Sequence, residues 1–298
     1  MKTVGGKAVL YLSPLGKVTG SLIDSLDYLI ALKRAGIQAR LIHMGRDPTL
    51  PRRLVADRYT LDFDPLADAL FLKWRWHLSR FTFDQVLVPY TTFRRISLFL
   101  KAAHTFVLPT MWMRRDSRRP FGWPLTRGRI TYLLNPEQHS YRLAGVESYE
   151  KKLLLDCLQK PHRTEKNLLV NCQSSHKRHH PREIREALAH CRHHEAVLVL
   201  ASGRTARAYE RAGFQVLTPP VENLFSRFDQ YLYLPPVGGY DENPRLLIES
   251  AWLGKAIVVP DEHRLSPQSA RKHRQLREQV EDFLLTPEDP LIQRFRSG

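Results

Sequence analysis

Gly238-Gly239-Tyr240-Asp241-Glu242-Asn243-Pro244-Arg245-Leu246-Leu247-Ile248-Glu249-Ser250-Ala251-Trp252-Leu253-Gly254-Lys255 follows a short apolar, β-like run and opens a helix. Pro244 suits the first turn of that helix and Gly254 its stop, one needing no N–H and the other no Cβ. The unpaired N–H groups at such a start, together with the helix dipole, make an anion site suited to a diphosphate. Glu249 stands at helical spacing from Arg245, so it can look back toward the same place. A carboxylate there can accept two hydrogen bonds from vicinal hydroxyls.

Outward from this stretch, apolar runs and helical patterns alternate, which predicts parallel sheets covered by helices. Strands are expected at Lys7–Ser13, 39–43, 85–89, 105–109 and 130–134. A second series follows at 167–171, 196–201, 215–218, 231–234 and 256–260. Helices are expected at 21–34, 135–158, 181–191, 204–212, 221–228 and 243–253, with a charged helical tail from 266 to about 284. In the first helix Ser21 and Asp24 form a candidate capping box, and Gly36 a stop. Residues 159–164 read as a linker. The expected layout is α/β: two Rossmann-like domains facing a cleft, 1–158 and 165–265, with a tail at 266–298 that packs back on the first.

The motif resembles the nucleotide-sugar signature of GT-B glycosyltransferases, in which two acids are separated by seven residues. Here the pair is Asp241 and Glu249. The wording Pro-Arg-Leu-Leu-Ile-Glu-Ser-Ala is similar to forms in lipopolysaccharide-type and phage enzymes. The resemblance implies that Glu249 binds the donor ribose and the first acid the transferred sugar. That first acid is Asp rather than Glu, with Glu242 beside it, so both are candidates. Asn243, Pro244 and Arg245 would complete the donor end. The resemblance also implies a basic loop at Lys177 and Arg178 for the leaving diphosphate, and a nucleobase seat near Val221. The implied donor is a nucleotide-sugar, UDP-linked, with no tightly bound cofactor.

Gly16 and Gly20, after the first strand, can let backbone approach a phosphate, although a glycine-bearing turn alone is a weak signal. Candidate general bases are Glu137, His139 and Asp116; a retaining enzyme needs none, because the donor phosphate can assist. His179, His180, Cys191, His193 and His194 match no zinc spacing, so no metal is expected. Three cysteines argue against a disulfide framework.

The charge is +16, with 46 Lys+Arg against 30 Asp+Glu. Residues 1–150 hold 23 basic and 12 acidic side chains, so most of the excess lies in the expected acceptor half. Arg114, Arg115, Arg118 and Arg119 are interleaved there with Trp112 and Trp123, and Arg52, Arg53, Lys73, Arg75, Arg94, Arg95, Trp74 and Trp76 add to them. Arginines neutralise phosphates and aromatics stack on bases. The leading expectation is therefore a phage-type enzyme moving a hexose or pentose onto a hydroxymethylated pyrimidine in DNA. The alternatives are an envelope glycosyltransferase whose basic half contacts an anionic membrane, and a non-catalytic nucleic-acid-binding protein on the same fold. No apolar run is long enough to span a bilayer and no signal peptide is evident, which predicts a cytoplasmic monomer.

Overall fold

The computed structural model describes residues 6–13, 18–45, 47–89, 93, 95–108, 128–134, 145–173, 179–234, 244–260 and 267–297. They fall into two compact units, Met1–Cys157 with Leu285–Gly298, and Leu158–Leu284.

The first unit holds β1 (Lys7–Ser13), α1 (Gly20–Arg34), β2 (Ala39–Gly45), α2 (Leu50–Arg58), β3 (Leu70–Phe71), β4 (Phe83–Pro89), β5 (Ala102–Leu108), β6 (Arg129–Leu134) and β7 (Val146–Ser148). All pair in parallel, in the order β3-β2-β1-β4-β5-β6-β7. Parallel strands need both faces covered, and their sequences are accordingly near-continuous apolar runs. Val86, Leu87 and Val88 of β4 are fully buried.

α1 is buried from Leu22 to Leu32, charged residues included. Its cap is Thr19, whose Oγ1 accepts from the Leu22 N–H at 3.3 Å, and not the expected Ser21 box. Asp24 of that expected box instead takes an ion pair from Lys151 at 2.9 Å. Asp27 accepts from the Tyr59 hydroxyl at 2.6 Å and from the Leu154 N–H at 3.3 Å. Two carboxylates on one buried helix are tolerable because each is met by a donor.

Two of those donors, Lys151 and the Leu154 N–H, come from a segment expected to be helical. Among the described residues of 135–158 there is a strand, β7, and then irregular chain laid along α1. Leu153, Leu154 and Leu155 are all buried there. Gly145 precedes it at φ +76°, where a Cβ would sit 2.5 Å from the Ile130 carbonyl oxygen. Beyond Leu284 the chain returns to this unit as α7 (Pro290–Ser297), numbered here in chain order after the helices of the second unit. Phe295 of α7 is fully buried, its ring 5.2 Å from that of Phe106 in β5.

The second unit holds β8 (Leu168–Asn171), α3 (Pro181–Ala187), β9 (Val197–Leu200), α4 (Arg204–Arg211), β10 (Gln215–Leu217), β11 (Gln230–Leu232), α5 (Arg245–Trp252), β12 (Ala256–Val258) and α6 (Pro267–Glu278). Its parallel order is β10-β9-β8-β11-β12. The helix expected at 221–228 is only a 3-10 turn, Leu224–Ser226. Asn223 just before it has φ +50°, a left-handed conformation that interrupts a right-handed helix. The tail is divided between the two units: α6 counts with the second, and Leu285–Gly298 with the first. Among the described residues no helix is long and apolar enough to cross a membrane.

Two histidines of the first unit make stability pH-dependent. Burial of His43 in β2 pushes its pKa down from 6.5. Burial, then Arg129 and Arg294, do the same to His104. A folded state that disfavours the imidazolium loses stability as pH falls below 6.5, the ordinary histidine value, toward the folded value. The melting temperature is therefore expected to hold above neutrality and to drop as pH falls below about 6.5. Thermal melts across that range should show a shallower decline in His43→Leu; identical slopes would exclude this contribution.

Candidate functional site

In each sheet the first strand of the unit lies beside the fourth, β1 beside β4 and β8 beside β11. Such a reversal of strand order leaves a crevice at the carboxyl ends of the two strands, because their connections depart in opposite directions. Most of the segments singled out in the sequence come next along the chain after a strand. In the first unit Gly16 and Gly20 follow β1, the Trp112–Trp123 cluster follows β5, and Glu137 follows β6. In the second, Lys177 and Arg178 follow β8, Val221 follows β10, and the Asp241–Glu249 motif follows β11.

Of these, Gly20, Val221, Pro244, Arg245 and Glu249 are among the described residues. Gly16, Arg114, Arg115, Asp116, Arg118, Arg119, Trp112, Trp123, Glu137, His139, Lys177, Arg178, Asp241, Glu242 and Asn243 lie outside them.

The helix of the motif is present as α5. Pro244 is its N-cap rather than a first-turn residue, and its carbonyl accepts from the Leu247 and Ile248 N–H groups at 2.8 and 3.1 Å. Gly254 stops it at φ +70°, while the Lys255 N–H returns to the Ser250 carbonyl at 2.9 Å. The Arg245 Nη1 donates to Glu249 Oε1 at 2.9 Å. Their side chains are only 11% and 2% exposed, so Glu249 is not the surface carboxylate that its spacing suggested.

The order of this pair is informative. A cation one turn before its acid opposes the helix dipole, so the arrangement gains little as a helix-stabilising pair. Burial adds a desolvation cost for both ions. What it supplies is a guanidinium held at the amino end of α5, the helix that joins β11 to β12. An arginine at a helix start can grip an anion bidentately, with the backbone dipole aiding it.

The remaining described candidates are less committed. Val221 is half-buried after the Pro219–Pro220 pair, beyond the edge strand β10. Gly20 begins α1, and a Cβ there would meet nothing within 4 Å, so the backbone makes no demand for glycine. The histidines serve the local chain: His180 caps α3 with Nδ1 accepting from the Arg182 N–H at 3.2 Å. His179 is buried, and its carbonyl accepts from the Tyr209 hydroxyl at 2.7 Å.

One cavity escaped the sequence reading. A space of about 210 Å³ in the first unit is lined by Leu133, Ser148, Tyr149, Lys152, Asp289 and Arg294, among others. It sits by the carboxyl ends of β6 and β7. Tyr149 donates to Asp289 at 3.0 Å and shares a 2.7 Å hydroxyl contact with Tyr28. Burial raises the Asp289 carboxyl above its ordinary value. No sequence signal could find this site, since Asp289 stands 140 residues from Tyr149.

HepE from Anabaena, solved in complex with UDP and glucose, matches with a TM-score of 0.55 at 12% identity, over 98% of this chain and 89% of that one. The fold is GT-B-like. A glycosyltransferase from Rickettsia africae gives a TM-score of 0.46 at 12% identity, over 98% of this chain and 93% of its own. A family 9 glycosyl transferase from Veillonella parvula gives 0.46 at 11% identity, over 92% and 96%. No family model matches the chain, and no curated protein matches it by sequence.

Proposed function

We propose that the protein is a glycosyltransferase that binds a nucleotide-sugar, UDP-linked, on its second unit. The observation that carries this is Arg245, held by Glu249 at the start of α5, the helix between β11 and β12 of a GT-B-like sheet. The likeness in fold to a protein solved with UDP and glucose supports the same donor class.

In this reading Arg245 takes the diphosphate, with Lys177 and Arg178 from the loop after β8 adding charge against the leaving group. Drawing Arg245 onto the diphosphate releases a Glu249 oxygen for the ribose hydroxyls. Asp241 or Glu242 holds the transferred sugar, Asn243 and Pro244 shape the turn, and Val221 borders the base. Glu137 is the proposed general base, and Gly16 and Gly20 are kept as donor-binding candidates.

The acceptor has two readings. A hydroxymethylated pyrimidine in DNA is supported by the charge excess of residues 1–150 and by the arginines between Trp112 and Trp123. A lipid-linked envelope acceptor is favoured by the described residues. Arg52 and Arg53 are held in ion pairs with Asp64 and Asp47, at 3.4 and 2.6 Å. Trp74 and Trp76, by contrast, stand exposed. We place the protein in the cytoplasm as a monomer.

UDP is expected to raise the melting temperature, because a ligand that binds only the folded chain stabilises it by about 2.7 kcal/mol at 100 times its Kd. Thermal shift with UDP, ADP and GDP reads this directly; no shift with any of them at millimolar concentration would remove the donor site. Incubation of UDP-sugars with hydroxymethylated DNA or with lipid-linked saccharides, followed by mass spectrometry of each product, then decides the acceptor.

A further inference from the structure

Among the described residues, the large apolar side chains that stand exposed are Phe71, Trp74, Trp76 and Leu98, at 39, 54, 48 and 61%. All four belong to the first unit, on two segments that touch. Arg75 lies 5.7 Å from the centre of the Phe99 ring, and Lys101 donates to the Ser79 carbonyl at 2.9 Å. The four exposed residues are therefore carried by two short segments in direct contact with each other.

The patch occupies an unusual place in the fold. The crossover from β3 to β4 would ordinarily be a helix that seals one face of the sheet. Here it is a 3-10 turn, Arg75–Arg80, that buries Leu78 in the core and leaves both indoles in solvent. A crossover kept only for packing would not spend two tryptophans on water, since contiguous exposed apolar surface marks a contact site.

The charge around these rings has one sign. Residues 69–83 contain Lys73, Arg75 and Arg80 and no acid, and residues 93–101 contain Arg94, Arg95 and Lys101 and no acid. Lys73 lies 5.8 Å from the Trp74 ring and Arg80 5.3 Å from the Trp76 ring. Each indole is thus flanked by a cation that can reach a phosphate at the same level. Indole at the headgroup depth, aliphatic carbon deeper and ammonium or guanidinium on the phosphates is the arrangement of an interfacial anchor.

We propose that this face docks the protein on an anionic phospholipid surface. Leu98 decides between lipid and nucleic acid: it is the most exposed of the four, and an isobutyl group has no base to stack on and no phosphate to neutralise. The docking stands apart from the donor site, whose residues belong to the other unit, so the two can fail separately.

The test is co-sedimentation of the full chain with phosphatidylcholine vesicles, with and without phosphatidylglycerol. Binding is expected with the anionic vesicles, weakening as salt rises, with a blue shift of tryptophan emission and quenching by brominated lipid. Trp74→Ala with Trp76→Ala should lower the partition at least about tenfold, because two buried indoles are lost. The UDP-induced thermal shift and the circular dichroism of that variant should match the parent, which certifies its fold. Failure of the parent to sediment with anionic vesicles overturns the proposal, as does a double variant that binds them equally well. Unquenched emission in the parent also overturns it. Retention of duplex DNA that the double variant loses, with vesicle binding unaltered, would assign the patch to nucleic acid instead.

Discussion

Replacing Glu249 by alanine is expected to lower the unfolding free energy by about 3–5 kcal/mol, because it leaves a buried guanidinium without its carboxylate. Arg245 is only 11% exposed, and the positive end of α5 disfavours a second positive charge. The same variant should lose UDP binding, since the arginine that would grip the diphosphate is no longer held in place. Glu249→Gln separates the two effects. Its amide oxygen can still accept from Arg245, so its stability loss should be about 1–2 kcal/mol. Donor affinity should fall by more than that if Glu249 takes the ribose. Urea denaturation and calorimetric titration of both variants supply the numbers. A Glu249→Ala protein as stable as the parent would mean that the buried ion pair does not exist in solution. Unchanged UDP affinity in both would remove the motif from the donor site.

The second large effect is expected at Phe295. Truncation to alanine removes a fully buried ring packed at a tilt, 5.2 Å from that of Phe106, at a cost of about 3–5 kcal/mol. The loss falls on the first unit, because α7 docks there through Leu291, Ile292 and Phe295. Limited proteolysis should then cut within residues 285–297 well before it cuts the second unit. Gln85 donates to the Arg294 carbonyl and Arg296 to that of Ala35, so the C-terminal half of the helix should loosen with the ring. Equal protease resistance in parent and variant would show that α7 holds by other contacts.

The parallel strands were readable in the sequence because both of their faces are buried, which leaves runs such as Leu168-Leu169-Val170 with little polar interruption. The same rule misled at residues 153–155. Three adjacent leucines suit a helix as well as an extended chain, and only the polar partners on α1 decide for the second. The helix of the donor motif was legible through Pro244 and Gly254, which mark its ends. Burial of Glu249 was not, since spacing gives the face of a helix relative to itself and not what covers it. The cavity beside Asp289 depends on contacts across more than a hundred residues, for which one sequence carries no signal.

The membership of Leu285–Gly298 in the first unit has a consequence for how the chain comes into being. On the ribosome, β1 to β7 emerge first, but the surface around Phe106 stays uncovered until α7 arrives. By then residues 158–284 have already left the exit tunnel as a continuous and self-sufficient unit. The second half of the molecule can therefore mature before the first. The earliest strands made are the last to be sealed, and through that interval a nascent chain would present a half-finished core to chaperones.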